Sequence, residues 1–166
     1  VATISAHSDS LYMKIDDPEK TISFDGGKLS QFEIRNFTKD GSTGSGKLEI
    51  KLDKDDYYAF TSKTEIYVDG TKLPANQYKF DQFVIAIDNG VLNGKSIVRV
   101  VPEMAKMGRS AATGSVVVDV ENYKGADPDN DKNTLIDSTY GTIGKVVEFG
   151  ITMTVVEKKK KEIQTV

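Results

Sequence analysis

Apolar and polar residues alternate in several short stretches of the chain, and the longest of these covers residues 145–157. Positions 148–154 of one face are Glu148, Gly150, Thr152 and Thr154, and the other face is apolar at every second position: Val147, Phe149, Ile151, Met153 and Val155. Strict alternation predicts a half-buried antiparallel strand with a solvated back. The same pattern in Lys47–Leu52 predicts a strand that directs Leu48, Ile50 and Leu52 inward.

Further apolar runs, bounded by residues that favour turns, predict more strands at residues 11–15, 21–24, 29–37, 64–68, 82–87, 96–101 and 114–121. Asp69-Gly70, the Gly/Ser-rich residues 41–46 and residues 88–90 are predicted turns or loops. Residues 102–108 are the one stretch that could form a helix, and it is short. The pattern therefore predicts an all-β fold, a two-layer antiparallel β-sandwich (Ig-like or jelly-roll-like) of eight or nine strands.

The composition supports this fold class, because the 166 residues include 16 Val and 13 Ile against 7 Leu and 9 Ala. β-Branched side chains suit a pleated surface better than a helix, which argues against a helical bundle and a doubly wound nucleotide-binding fold. One domain is expected at residues 1–156. Residues 157–166 are strongly charged and are expected to form a strand end or a linker.

Charge and chemistry exclude several function classes. The formal net charge of −3 argues against nucleic-acid binding, and no apolar run approaches the roughly 20 residues that cross a bilayer. The chain has no Cys and a single His, His7. The absence of Cys excludes disulfides, thiolate zinc sites and cysteine nucleophiles. The single His near the start of the chain argues against serine–histidine catalysis. We expect a protein that is not an enzyme.

The sharpest local signal is an acidic, Pro-containing stretch at residues 127–137. Its oxygen-bearing side chains are candidate ligands for Ca²⁺, which prefers such ligands on flexible loops: Asp127, Asp129, Asp131, Asn133 and Asp137. The match to an EF-hand loop fails at its sixth position, Lys132, and at its twelfth, Ser138. A solvated surface loop is the alternative interpretation. The seven tyrosines suggest a second kind of site, a platform on which sugars stack, although core and rim positions are the better explanation, since the chain has no Trp.

Residues 29–52 form a strand, a Gly/Ser loop and a strand of the form Gly-x-Leu-x-Ile-x-Leu, from Gly46 to Leu52. This unit, with residues 96–102 and 114–120, resembles β-sandwich modules in secreted surface proteins of Gram-positive bacteria that adjoin S-layer-type or copper-amine-oxidase-like stalk domains. The likeness covers residues 29–156. It departs from the family's usual Pro-Asp-Gly turn at residues 53–56, and the acidic loop looks like an insertion. The resemblance implies an extracellular, non-enzymatic structural or adhesive module, and it supplies no site residues.

The sequence thus predicts a structural or adhesive module of a bacterial cell-surface assembly. Its expected partners are other copies of itself or other surface proteins, bound through edge strands or surfaces. Residues 2–15 are a candidate for a strand donated to a neighbour. Two alternatives stay open: a carbohydrate-binding or cohesin-like module that binds polysaccharide or another protein, and a phage or viral shell, tail or decoration protein.

Overall fold

The computed structural model describes residues 3–4, 11–35, 37, 47–53, 58–87, 91–92, 95–106, 113–124 and 134–148. These residues form fifteen β-strands, numbered β1 to β15 in chain order, and one turn of 3₁₀-helix at Ala75–Gln77. The strands make two six-stranded sheets, I and II, and a three-stranded sheet III. The predicted all-β class is confirmed. The strand number exceeds eight or nine because several segments are only two or three residues long.

Sheet I is entirely antiparallel. Its strands lie in the order β1 (Thr3–Ile4), β2 (Tyr12–Ile15), β5 (Phe32–Arg35), β12 (Val98–Val101), β8 (Glu65–Val68) and β9 (Thr71–Lys72). Two residues, Asp69 and Gly70, join β8 to β9, and both have positive φ angles (51° and 86°). Positive φ at both central residues is what a type I′ hairpin turn requires, and the predicted turn is confirmed.

Sheet II is antiparallel except where its last two strands pair in parallel at Lys145 and Val146. The order is β10 (Tyr78–Phe80), β11 (Val84–Ile87), β6 (Lys47–Leu52), β14 (Gly114–Lys124), β15 (Thr134–Val146) and β3 (Thr21–Ile22). Sheet III consists of β4 (Gly26–Lys28), β13 (Glu103–Lys106) and β7 (Tyr58–Phe60), with β13 in the middle.

One hydrophobic core lies between sheets I and II, and it is built from the inward residues of alternating strands. Leu48 and Ile50 of β6 are completely buried, and Leu52 is 8 % exposed, as the pattern predicted. Sheet I contributes a matching set, with both apolar residues of β5 buried: Met13, Ile15, Phe32, Ile34, Val98 and Val100. The alternation therefore encodes a two-layer sandwich.

Gly141 of β15 lies directly against β2 of the other sheet. A Cβ atom at this position would lie 2.4 Å from Cδ1 of Ile15 and 3.3 Å from the sulfur of Met13, both on β2. A side chain here would therefore require Cδ1 of Ile15 to move. The glycine thus lets β15 cross directly over β2.

Two expectations from the sequence need correction or fall partly outside the described residues. Residues 103–106 form the central strand of sheet III, so the helix expected at 102–108 is wrong there. Pairing with β4 and β7 on both sides overrides the local helix preference of this segment. The long strand expected at 145–157 contributes only its first two residues to β15, and residues 149–157 lie outside the described part.

The N-terminal segment that the sequence suggested as a donated strand is partly built into this sandwich. β2 lies between β1 and β5 in sheet I. Leu11, Met13 and Ile15 are at most 1 % exposed. Residues 11–15 therefore serve the chain's own core, and removing them would disrupt the fold itself.

Candidate functional site

An open cleft of about 760 Å³ lies at the margin of sheet I, where β8 and β9 meet β4, β13 and the 3₁₀-helix. Its lining combines three lysines and two glutamates with apolar side chains and a tyrosine: Lys28, Lys63, Lys72, Glu65, Glu103, Leu73, Pro74 and Tyr78. The sequence analysis did not identify this cleft, because its residues come from five separate segments and share no motif.

A tight turn fixes the rim of the cleft. Thr64 N donates to the Thr61 carbonyl (3.0 Å), and Lys63 N donates to Thr61 Oγ1 (3.1 Å). The turn is tied to β13, since Thr61 N donates to the Glu103 carbonyl (2.8 Å) and Glu103 N donates to Thr64 Oγ1 (3.0 Å). Lys63 and Glu103 are therefore held on one rigid support.

The floor of the cleft is the crossover from sheet I to sheet II. Leu73 is 6 % exposed, and its N–H donates to the Ile66 carbonyl over 2.7 Å. Pro74 then starts the 3₁₀ turn, in which Gln77 N donates to the Pro74 carbonyl over 2.9 Å. Tyr78 follows as the first residue of β10 and is half-buried. The floor is thus apolar and is anchored at both ends.

Among the described residues, some charged side chains of the cleft form ion pairs and others do not. Glu65 lies 3.5 Å from Lys72 Nζ and accepts a hydrogen bond from the Tyr67 hydroxyl (2.9 Å). That hydrogen bond, with the nearby Lys72 and Lys28, lowers the pKa of Glu65. Lys28 and Lys63 are exposed, and neither forms an ion pair with a described residue. Two cations at the rim therefore remain available to a ligand.

The outer face of sheet II carries a continuous ladder of ion pairs. Lys51 Nζ lies 2.7 Å from Glu121 and 3.3 Å from Glu49, and Lys47 Nζ lies 2.7 Å from Glu49. The Tyr123 hydroxyl donates to Glu121 over 2.7 Å. These side chains stand opposite one another on β6 and β14. The ladder thus joins the two strands through their side chains as well as their backbones.

The ladder shifts the pKa values of its members. The hydrogen bond to Glu121 is the largest cause that raises the pKa of Lys51, against the opposing effect of burial. Burial alone would raise the pKa of Glu121, but the hydrogen bonds from Lys51 and Tyr123 outweigh it and lower that pKa. Burial, followed by the hydrogen bond to Glu121, raises the pKa of Tyr123 to about 12. The ladder stabilises the charged forms of Lys51 and Glu121 and the neutral form of Tyr123.

The structure does not gather the tyrosines into one sugar-stacking platform. Tyr58 is buried, Tyr78 lines the cleft, and Tyr57 lies outside the described residues. Three others have a cation over one ring face, at distances of 4.0 to 5.7 Å from the ring centre: Tyr12 with Arg35, Tyr67 with Arg99, and Tyr123 with Lys47. These cation–π contacts occupy ring faces that a sugar would need.

Four of the five candidate calcium ligands, Asp127, Asp129, Asp131 and Asn133, lie outside the described residues. The fifth, Asp137, is part of β15, where its two carboxylate oxygens accept hydrogen bonds from Leu11 N and Ser138 N (2.9 Å each). Asp137 therefore ties β15 to the start of β2. The calcium site stays a prediction. Within the described ranges, no three His, Cys, Asp or Glu side chains cluster as metal ligands would.

No protein family model and no curated protein matches the chain. Several solved structures share part of its strand arrangement. The RrgB pilus backbone of Streptococcus pneumoniae is 14% identical, with 71% of this chain and 29% of that chain covered and a TM-score of 0.40. The major pilin subunit BcpA of Bacillus cereus is 10% identical, with 89% and 40% covered and a TM-score of 0.45.

A third structure, the self-complemented MyfA fimbrial subunit of Yersinia enterocolitica, is 18% identical, with 84% of this chain and 99% of that chain covered and a TM-score of 0.40. The chain spans less than half the length of RrgB and BcpA. With TM-scores below 0.5, these likenesses do not assign a function. In the part of the chain that the structure describes, no helix is long and apolar enough to cross a membrane.

Proposed function

We propose that this chain is a structural or adhesive module of a bacterial extracellular or cell-surface assembly, and that it acts by binding other protein chains rather than by catalysis. The observation that carries the proposal is the composition of the cleft, in which exposed lysines surround an apolar floor. A polar rim around an apolar centre is the usual anatomy of a protein–protein contact.

The distribution of polar groups elsewhere supports the cleft as the contact surface. On the outer face of sheet II the charged side chains already pair with one another. On sheet I, Arg99 stacks on Tyr67 and also donates to Gln31 over 3.2 Å. A partner on either face would have to compete with these contacts. At the cleft, Lys28 and Lys63 can pair with a partner without that cost.

An extracellular location rests on the resemblance of residues 29–156 to surface modules of Gram-positive bacteria. The test is antibody labelling of intact cells of the source organism, followed by cross-linking and capture of neighbouring proteins. Surface labelling, together with capture that Lys28→Ser/Lys63→Ser reduces, supports the proposal. Labelling only after the cells are lysed contradicts it.

A carbohydrate-binding module is the second candidate, and the cleft again provides the observation that favours it. Tyr78 lines the cleft beside Leu73 and Pro74, with the exposed Ser62 as a hydrogen-bonding group. Aromatic faces with polar neighbours bind sugar rings. Retention on a glycan array that free sugar displaces, and that Tyr78→Ala abolishes, would favour this function over a protein partner.

A further inference from the structure

The cleft is more cationic than the molecule that carries it. The whole chain has a formal net charge of −3. The cleft instead has three lysines against two glutamates, and one of those glutamates, Glu65, is engaged by Lys72 and Tyr67. An acidic partner is therefore attracted to the cleft and weakly repelled by the remaining surface.

The chain itself contains a segment of the complementary charge. Residues 125–133, Gly-Ala-Asp-Pro-Asp-Asn-Asp-Lys-Asn, carry three Asp and one Lys. The segment joins the end of β14 at Lys124 to the start of β15 at Thr134. Its anchor points lie at the end of the sandwich where Asn122 Nδ2 donates to the Phe37 carbonyl over 3.1 Å.

Lys28 of the cleft lies toward the other end of β15. Lys28 lies opposite Glu103 in the strand register of sheet III. Two residues further along the chain, Ser30 N donates to the Ile143 carbonyl of sheet II over 2.9 Å. Ile143 is about 30 Å along β15 from Thr134, at about 3.3 Å per residue. Lys28 therefore lies near the end of β15 opposite to the segment's anchor points, and this placement favours the cleft of another copy.

We propose that the lysine-rimmed cleft of one copy binds the acidic segment 125–133 of a second copy. This inference rests on the proposed function and specifies its partner. The contact joins two different patches, so each bound pair still offers one free cleft and one free acidic segment. Such a heterologous contact extends into head-to-tail chains unless the geometry closes it into a ring.

Sedimentation velocity over a wide range of protein concentration, in EDTA, tests the proposal. At low salt the average mass of the wild-type protein should rise with concentration, and high salt should reverse the rise, because exposed charges are then screened. Lys28→Glu/Lys63→Glu, or replacement of Asp127, Asp129 and Asp131 by Asn, should weaken association by about tenfold or more. Lys28→Ser/Lys63→Ser serves as the second cleft variant, since it places no new carboxylate beside Glu103.

Mixing the two defective proteins gives the decisive measurement. The cleft variant retains the acidic segment and the Asn variant retains the cleft, so the mixture should form one-to-one dimers that do not grow further. Lys106→Glu is the matched control, because Lys106 is exposed and lies outside the cleft. It should associate as the wild type does.

Three results would overturn the inference: a wild-type mass that does not change with concentration, a Lys106→Glu effect as large as that of the cleft variant, or mixtures that fail to form dimers. If the protein stays monomeric but captures other surface proteins, this inference fails and the proposed function stands. If it associates as expected in solution but is absent from the cell surface, the proposed function fails instead.

Discussion

At the scale of single residues, Gly141 is packed closely against Ile15 and Met13 of the facing sheet. A Cβ atom there would lie 2.4 Å from Cδ1 of Ile15, so Gly141→Ala should force the side chain of Ile15 or the backbone of β15 to move. Overpacking of this kind costs about 1–3 kcal/mol of unfolding free energy. Urea denaturation followed by circular dichroism measures the change.

Ile15→Val provides the internal check on this prediction, because it removes the Cδ1 atom that a new Cβ would meet. The double variant Gly141→Ala/Ile15→Val should therefore be more stable than the sum of the two single effects predicts. Strict additivity would show that Gly141 does not act through its contact with Ile15.

The ladder on sheet II makes stability depend on pH through Glu121. The pKa of Glu121 is lower in the folded state than in the unfolded state. The stabilisation that ionised Glu121 provides is therefore present above its unfolded pKa and is lost as the pH falls through its folded pKa. The folded state raises the pKa of Tyr123 from 10.0 to about 12, so that contribution is lost as the pH rises through this range. Glu121→Gln should therefore cost about 1 kcal/mol near neutral pH and less at both extremes. A deficit that stays constant across the pH range would contradict this assignment.

At the scale of elements, alternation predicted the strands whose inward faces are filled by large apolar residues, such as Lys47–Leu52 and the strand around Phe32 and Ile34. It missed β15, the longest strand, for a physical reason. Where β15 crosses β2, its inward positions are Thr139 and Gly141, because the space admits no larger side chain. Two register shifts against β14, near residues 136 and 143, then break the alternation.

The acidic loop that precedes β15 carries the calcium prediction. If Asp127, Asp129, Asp131 and Asn133 bind Ca²⁺, millimolar calcium should raise the melting temperature above that in EDTA, because a ligand specific for the folded state stabilises it. The Asn replacements of Asp127, Asp129 and Asp131 should abolish the difference. Identical melting curves for the wild-type protein would show that the loop does not bind calcium. Asp137 would then keep only its structural role between β15 and β2.

At the scale of the whole molecule, the cleft is a feature that the sequence alone does not predict. Lys28 is 35 residues from Lys63, Lys72 follows Lys63 after nine residues, and all three lie in polar stretches that are typical of any surface. They come together because β4 pairs with Glu103 on β13 while the turn at Thr61–Thr64 is hydrogen-bonded to the same residue. The periodicity of a strand predicts which of its residues face the core. It does not predict which sheet edges lie side by side, and this site depends on that arrangement.

Two truncations test where the domain ends. Every residue of the described core precedes residue 147, yet the alternation of Phe149, Ile151, Met153 and Val155 predicts further apolar burial. A chain ending at residue 148 should lose about 2 kcal/mol or more of stability, the contribution of burying one or two large apolar side chains. A chain ending at 156 lacks only the charged tail and should unfold at the same urea concentration as the full chain. Equal stability of all three chains would place the domain boundary near residue 148, whereas a loss on removing residues 157–166 alone would make the tail part of the domain.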